Sequence, residues 1–322
     1  MQGALSDIAV FDAAAVRAAW SYDAGIPLMR EAMIALSTGQ VVQTLRSFIG
    51  LGEGRTFAIM PAALPDQGFG AKLVSVYARP GRPKTHEGLV VLFDTATGAP
   101  VCLADAGEVT ALRTPAASAA ATDALARPDA DVLAVLGIGR QARGHVEAIS
   151  KVRRLREVRV WGRDTPRAQA FAAEVARRTG LMVEARADAE TAIRGASILC
   201  TTTAAIDPVL LGAWVAPGAH VNLVGSSGPA VAEADTALVA RSRYFVDHRP
   251  HVLVHGGEYL RAKAAGAVGD DHILAEIGAV FAGAAPGRTA EDQVTVYKSL
   301  GHAVQDLAVA QWLLNMRFMK GH

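Results

Sequence analysis

Three basic residues interrupt otherwise apolar segments of the chain: Arg46 in Gln43-Thr44-Leu45-Arg46-Ser47-Phe48, Lys72 in Gly70-Ala71-Lys72-Leu73-Val74, and Arg113 in Ala111-Leu112-Arg113-Thr114. A cation in the middle of a buried-looking strand is costly unless an anion pairs with it, and Lys72 is the most telling of the three. The chemistry on offer is the binding of an acid. Arginine presents a planar fork that suits a carboxylate, and lysine adds a compact charge. Taken one at a time, each could equally be a solvated or salt-bridged surface cation.

A second group of residues lies where an apolar run, Val132-Leu133-Ala134-Val135-Leu136, passes directly into Gly137-Ile138-Gly139-Arg140-Gln141-Ala142 and then into a helical pattern. A strand followed by G-x-G-x-x-A and a helix is the arrangement that binds a dinucleotide. The first glycine permits the tight turn, the second lets the backbone approach the pyrophosphate, and the small Ala142 lets helix and strand pack closely. The helix N-terminus supplies free N–H groups and a favourable dipole. A glycine-rich turn that binds nothing is the alternative. At the end of the second strand, where an acid would hold the ribose hydroxyls of NAD, stands Val160-Trp161-Gly162-Arg163-Asp164. A guanidinium suits a 2′-phosphate, so Arg163 favours NADPH, while Asp164 keeps NADH open.

These residues need elements to position them. From Phe11 to about Gln40 the periodicity predicts two helices, the first capped by Asp12. Thr56 to Ala62, Gly70 to Ala78, Leu89 to Asp94 and Val101 to Asp105 then read as a meander of antiparallel strands. Ala106 to Leu125 reads as an alanine-rich helix interrupted or kinked near Pro115. After it, strands and helices alternate. The strands are Val132 to Leu136, Val158 to Trp161, Val183 to Ala185, Ile198 to Thr202, Val221 to Val224 and Tyr244 to Val246, and that alternation predicts a parallel sheet. A helix from Pro166 to Thr179 is expected, with Thr165 as its cap and Gly180 past its end. The last helix, roughly Gly301 to Phe318, is apolar on nearly every side and must be buried.

The predicted fold class is therefore α/β, a Rossmann-type doubly wound parallel sheet with a second α+β domain. The expected division is 126–301 for the NAD(P)-binding domain and 1–125 plus 302–322 for the substrate-binding and dimerisation domain. With 322 residues, 51% hydrophobic and 20% charged, a sizeable core is assured. Thirty-two Lys plus Arg against 31 Asp plus Glu leave a net charge of +1, so no bulk field would hold a nucleic acid or an acidic membrane. The uncharged stretch from Pro208 to Ala232 is broken by Pro217, Gly218, His220, Asn222 and the cluster Gly225 to Pro229, and reads as a loop, a buried strand and another loop. Cys102 and Cys200 have no CxxC spacing and read as reduced packing residues, so neither a disulfide nor a metal site is expected. The N-terminus lacks the basic start and apolar run of a signal peptide, which points to a cytoplasmic enzyme.

The chain resembles the ornithine cyclodeaminase and mu-crystallin family of nicotinamide-dependent enzymes. Arg46, Gly70 to Val74, Thr110 to Thr114, Gly137 to Ala142, Val224-Gly225-Ser226-Ser227 and Lys298-Ser299-Leu300-Gly301 carry the resemblance, in the family's order. It implies a homodimer, with the active site in the cleft between the substrate domain and the dinucleotide domain. It also implies that Arg46, Lys72 and Arg113 bind the α-carboxylate of a small imino or amino acid. The candidate cofactor residues are Thr114, Gly137, Gly139, Arg140, Gln141, Ala142, Arg163, Thr202, Val224 and Gly225.

The family divides by reaction. Its cyclodeaminases carry an aspartate in the loop after the strand Val221 to Val224, and here that position is Ser227, a neutral hydroxyl. That serine, Thr85-His86-Glu87 and Trp161-Gly162-Arg163 together look like the mu-crystallin side, whose members reduce cyclic ketimines. Hydride transfer to C2 of Δ1-pyrroline-2-carboxylate or Δ1-piperideine-2-carboxylate is thus expected. Lys72, Ser227 and His86 are the catalytic candidates, although His86 could be a loop hydrogen-bonder and Ser227 a turn residue. Ornithine cyclodeamination, alanine dehydrogenase-like reduction of an open-chain imine, and non-catalytic NADPH-dependent binding are the alternatives.

Overall fold

The computed structural model of the chain describes residues 8–65, 67–79 and 82–320, the side chains of 78, 79, 82–86 and 320 excepted. The chain divides into two compact units, Met1–Arg113 with His302–His322, and Thr114–Gly301.

The first unit begins with β1 (Ala9–Phe11), α1 (Ala13–Ala19) and α2 (Tyr22–Ser37). Asp12 caps α1 as expected, accepting the Ala15 N–H at 2.8 Å. The two predicted helices form, but Phe11 belongs to a strand. Three residues are too few for periodicity to reveal, and parallel pairing of β1 with the later strand Pro100–Asp105 decides their conformation. Then follow β2 (Val42–Gln43), β3 (Ser47–Gly50), β4 (Thr56–Leu64), β5 (Gly68–Arg79), β6 (Arg82–Phe93) and β7 (Pro100–Asp105). They make one sheet in the order β1-β7-β6-β5-β4-β2, with β3 also on β4. The long β4–β5–β6 meander sets Met60, Lys72 and Val90 side by side in register, so all three share one face. Met60 and Val90 are buried. Lys72 therefore stands in an apolar row.

Helix α3 (Ala106–Leu125) runs through Pro115 without a break, so of the interruption or kink expected there the interruption does not occur, and the division between the units falls within it. Proline removes one helical donor, but Ala116, Ala117, Ala119, Ala120 and Ala121 are all buried, and packing of that close alanine surface outweighs the lost bond.

The second unit holds β8 (Val132–Leu136), α4 (Arg140–Ile149), β9 (Glu157–Trp161), α5 (Thr165–Thr179), β10 (Val183–Ala185), α6 (Ala189–Ile193), β11 (Ile198–Thr201) and β12 (His220–Leu223). It continues with α7 (Thr236–Arg241), β13 (Arg243–Val246), α8 (Arg249–His255), α9 (Gly257–Ala264), β14 (Ile273–Glu276), α10 (Ile277–Phe281) and β15 (Thr295–Lys298). The sheet is parallel in every pairing, ordered β10-β9-β8-β11-β12-β15-β13-β14. This is the predicted doubly wound sheet, and β8, β11, β12 and β15 are buried along their whole length. Its order reverses between β8 and β11, and ligands bind beyond the carboxyl ends of strands at such a switch point. Gly137 and Thr202 stand just past those two ends.

At α5 the cap is Asp164 rather than Thr165: its carboxylate accepts the Arg167 N–H, and Thr165 is the first helical residue. Gly180 closes the helix at φ 71°, as expected. The chain returns to the first unit as α11 (Ala303–Lys320), whose Leu307 reaches β5 beside Gly70. No described helix is long and apolar enough to cross a membrane.

Candidate active site

In the first unit, three elements bring charge to one buried point. Lys72 of β5 is 5% exposed, Arg113 of α3 is 4% exposed, and Asp306 in the first turn of α11 is fully buried. Oδ1 of Asp306 lies 3.3 Å from Nζ of Lys72 and 3.1 Å from Nε of Arg113. Nζ of Lys72 also donates to the hydroxyl of Thr110, which itself donates to the carbonyl of Ala106 at 2.6 Å. Nη1 of Arg113 donates to Oε1 of Gln305 at 3.1 Å. Burial pushes the Lys72 ammonium down to about 8; Asp306 opposes this, while Arg113 and Arg46 push the same way. Arg46, half-buried just before β3, thus acts on the same point. Lys72 and Arg113, both buried, thus share a single carboxylate oxygen.

In the second unit, the loop after β8 has the features a dinucleotide needs. Gly137 sits at φ 121°, and a Cβ there would meet Oγ1 of Thr202 at 2.5 Å, so only glycine fits. A Cβ on Gly139 would meet nothing within 4 Å, which leaves the backbone open to a phosphate. Gly139 is the N-cap residue of α4 and makes no side-chain cap, so the positive end of the helix dipole faces this loop. Ala142 is fully buried. Thr202 is held by its N–H and hydroxyl, both on the carbonyl of Leu136, at 2.8 and 3.1 Å. Thr114 is 6% exposed, and its hydroxyl has no hydrogen-bond partner among the described residues. These residues fit a bound dinucleotide. Beside them Ile138, Arg163, Asp164 and Arg167 line an open cavity of about 390 Å³.

The segment after β12 is fixed from beneath by buried carboxylates. Glu233 accepts the N–H of Gly225 at 2.6 Å, the hydroxyl of Thr201 at 2.7 Å, and the N–H and hydroxyl of Thr203 at 2.6 and 2.7 Å. Val224 and Gly225 also donate backbone N–H groups to the carbonyl of Thr201. Ser226 donates to Oε1 of Glu258 at 2.5 Å, and Lys298 donates to the Ser226 carbonyl and hydroxyl at 2.7 and 2.6 Å. Lys298 and Glu258 form a fully buried ion pair at 2.9 Å. Burial pushes Glu258 up, but Lys298 and the hydrogen bonds bring its carboxyl below the usual range. Ser227, next along, is exposed.

Of the predicted residues, Lys72 and Arg113 are thus joined through Asp306, with Arg46 within electrostatic reach. Gly137 to Ala142 and Thr202 are joined at the switch point, where Arg140 is exposed and Gln141 half-buried; Arg163 is exposed at the end of β9. His86 lies on β6 opposite Val76, inside the strand rather than ahead of it, and its side chain is outside the described residues. Asp306, Glu233 and Glu258, which hold candidate residues in place, are not singled out by the sequence, and Lys298 enters there only through the family resemblance. An acid in the first turn of a helix is ordinary for dipole reasons, so only the apolar surroundings of Asp306 could have flagged it.

The sequence profile of the ornithine cyclodeaminase/mu-crystallin family matches residues 7–318. The chain belongs to this family. Among its members, the ketimine reductase mu-crystallin of Mus musculus is 36% identical over 295 residues, covering 89% of this chain and 90% of the relative. The structure of Thermococcus litoralis Δ1-pyrroline-2-carboxylate reductase in complex with NADH and L-proline superposes with a TM-score of 0.93 at 29% identity, covering 98% of both chains. An archaeal alanine dehydrogenase dimer with bound NAD gives a TM-score of 0.90 at 29% identity, covering 98% of this chain and 97% of that one.

Proposed function

We propose that the protein is an NAD(P)H-dependent reductase of cyclic ketimines, which converts Δ1-pyrroline-2-carboxylate or Δ1-piperideine-2-carboxylate to proline or pipecolate. What carries this is the buried charge of the first unit: Lys72 and Arg113, two buried cations, share one oxygen of Asp306, and the Arg46 guanidinium acts on the same point. Buried charge of that kind calls for an anion, and an α-carboxylate supplies it. The mouse relative is a ketimine reductase, and the Thermococcus relative binds NADH and L-proline, the reduced product of the five-membered imine.

Gly137, Gly139, Arg140, Gln141 and Ala142 hold the dinucleotide, with Thr114, Thr202, Val224 and Gly225 completing its contacts, and the bound cofactor supplies a hydride. Arg46, Lys72 and Arg113 hold the carboxylate and so fix the orientation of C2, making positioning a large part of the rate. Ser227 or His86, directly or through water, keeps the ring nitrogen protonated while C2 is reduced. Arg163 takes a 2′-phosphate, which makes NADPH the preferred cofactor.

Residues 1–125 with 302–322 serve as the substrate-binding and dimerisation part and 126–301 as the cofactor-binding part; an archaeal relative that is a dimer supports a homodimer. Cys102 and Cys200 are free and buried, which fits a reducing compartment such as the cytoplasm. The test is NAD(P)H absorbance with the purified protein and each imine. Consumption of NAD(P)H with formation of the cyclic amino acid is expected. Failure with both imines would sink the proposal.

A further inference from the structure

We propose that Asp306 is the positioning residue of the carboxylate-binding cluster: it fixes Lys72 and Arg113 from behind, leaving their remaining donors for one substrate carboxylate. This rests on the function proposed above. Asp306 stands on a helix whose neighbouring positions, Ala303, Val304, Leu307, Ala308, Val309 and Ala310, are all buried and apolar. A carboxylate there is expensive to keep unless it does something for its partners.

The hydrogen-bond inventory says what it does. Arg113 has five N–H donors: the one on Nε goes to Asp306 and one of the two on Nη1 to Gln305, so both on Nη2 and one on Nη1 remain along the outer edge. Lys72 has three protons, of which Thr110 and Asp306 take two. One guanidinium edge and one ammonium proton are left over, a pair of donors for a carboxylate's pair of oxygens. Gln305 is itself held, accepting the His302 N–H at 3.2 Å and donating to Sδ of Met33 at 3.3 Å, so the arginine is anchored along two of its edges. Asp306 links one residue from β5 to one from α3 and is the shared partner of both cations.

Asp306 also favours the charged form of Lys72. The charged groups that act on the ammonium are Asp306 from α11, Arg113 from α3 and Arg46 from the segment before β3, with the hydroxyl of Thr110 in contact. Two of the three are cations, and burial works in their direction. Without Asp306 no charged group among the described residues would favour the ammonium, and Lys72 would become a neutral amine at a lower pH.

The experiment is the pH profile of kcat/KM for Δ1-pyrroline-2-carboxylate, which reports the essential groups of the free enzyme. The parent should lose activity on the basic side near pH 8, where Lys72 titrates. Lys72→Arg, which does not titrate there, should abolish that limb. Asp306→Asn, nearly the same in shape, should move the limb down by about one pH unit or more, while the dissociation constant for NADPH, read by fluorescence, stays within twofold. Asp306→Glu keeps the charge on a longer arm and serves if the asparagine variant does not fold. It should leave the limb in place and lower kcat about tenfold. An active parent with an unmoved limb in Asp306→Asn, a limb that survives Lys72→Arg, or parent-like kcat in Asp306→Glu would each overturn the role of Asp306 alone. A parent inert toward both imines overturns the proposed function and this role together.

Discussion

Oδ1 of Asp164 accepts the backbone N–H of Arg167 at 2.9 Å, which commits the one carboxylate near the end of β9 to capping α5. The residue at the position where an NAD-binding acid would stand is Gly162, and a Cβ there would press on Ile138 at 2.9 Å. Arg163 follows, exposed, on the cavity it shares with Arg167. Replacing Arg163 by alanine should therefore raise KM for NADPH roughly tenfold, the cost of about 1.4 kcal/mol of lost binding, and change KM for NADH little. Equal effects on the two cofactors would reject the assignment of Arg163 to the 2′-phosphate.

Lys72→Ala and Arg113→Ala should each lose several hundred-fold in kcat/KM, since removing one member of a buried charge cluster costs about 3–5 kcal/mol. Cofactor affinity should be near normal in both, because neither residue belongs to the Gly137 to Ala142 loop. Isothermal titration with NADPH separates the two effects. A variant that works like the parent would show that the substrate carboxylate binds elsewhere.

With ornithine and catalytic NAD, no rapid release of ammonia is expected, because Ser227 offers a hydroxyl where a cyclodeaminase has aspartate. Ser227→Asp should depress imine reduction by placing a charge beside the reacting nitrogen. An unchanged rate would leave Ser227 as a turn residue, in keeping with its exposure, and ammonia release without added reductant would overturn the reductase assignment.

Two buried histidines should make the fold acid-sensitive. Burial lowers His145 to about 4 and His220 to about 3, well under their unfolded value of about 6.5. Between those limits the unfolded chain binds more protons than the folded one, so their contribution is complete above about pH 6.5 and is lost as pH falls, on the order of 1 kcal/mol per pH unit for each. His145 bonds Ser118 at 2.9 Å, and His220 bonds Thr295 at 3.0 Å. Burial raises Glu233, which works the other way above the usual carboxylate range, so the comparison of parent with His220→Asn decides. The Tm of the variant should fall less between pH 7 and pH 5; parallel curves would refute the idea.

The dinucleotide loop is legible in the sequence because glycine positions and strand-helix order are local properties, and Gly137 and Gly139 stand where backbone geometry demands them. The parallel sheet is legible for the same reason. Strands β14 and β15 are not, since four residues owe their conformation to long-range pairing rather than to any period. Nor can spacing tell which of two adjacent serines turns inward: Ser226 is buried against Glu258 and Lys298, while Ser227 faces out. Asp306 is the sharpest case. Lys72, Arg113 and Asp306 are spread over more than two hundred positions, and only the fold brings them to one oxygen.

That spread has a consequence for biosynthesis. Lys72 and Arg113 leave the ribosome before the whole of Thr114–Gly301, and the aspartate they share emerges after it. At about 5–20 residues per second, the two cations wait roughly ten to forty seconds for their counter-charge. The unit Thr114–Gly301 is contiguous, whereas the sheet of the first unit lacks the helix that packs on β4 to β7 until α11 is made. A stalled chain ending before Ala303 would thus expose an apolar strand face carrying an unneutralised lysine, a form that quality control can distinguish from the finished enzyme.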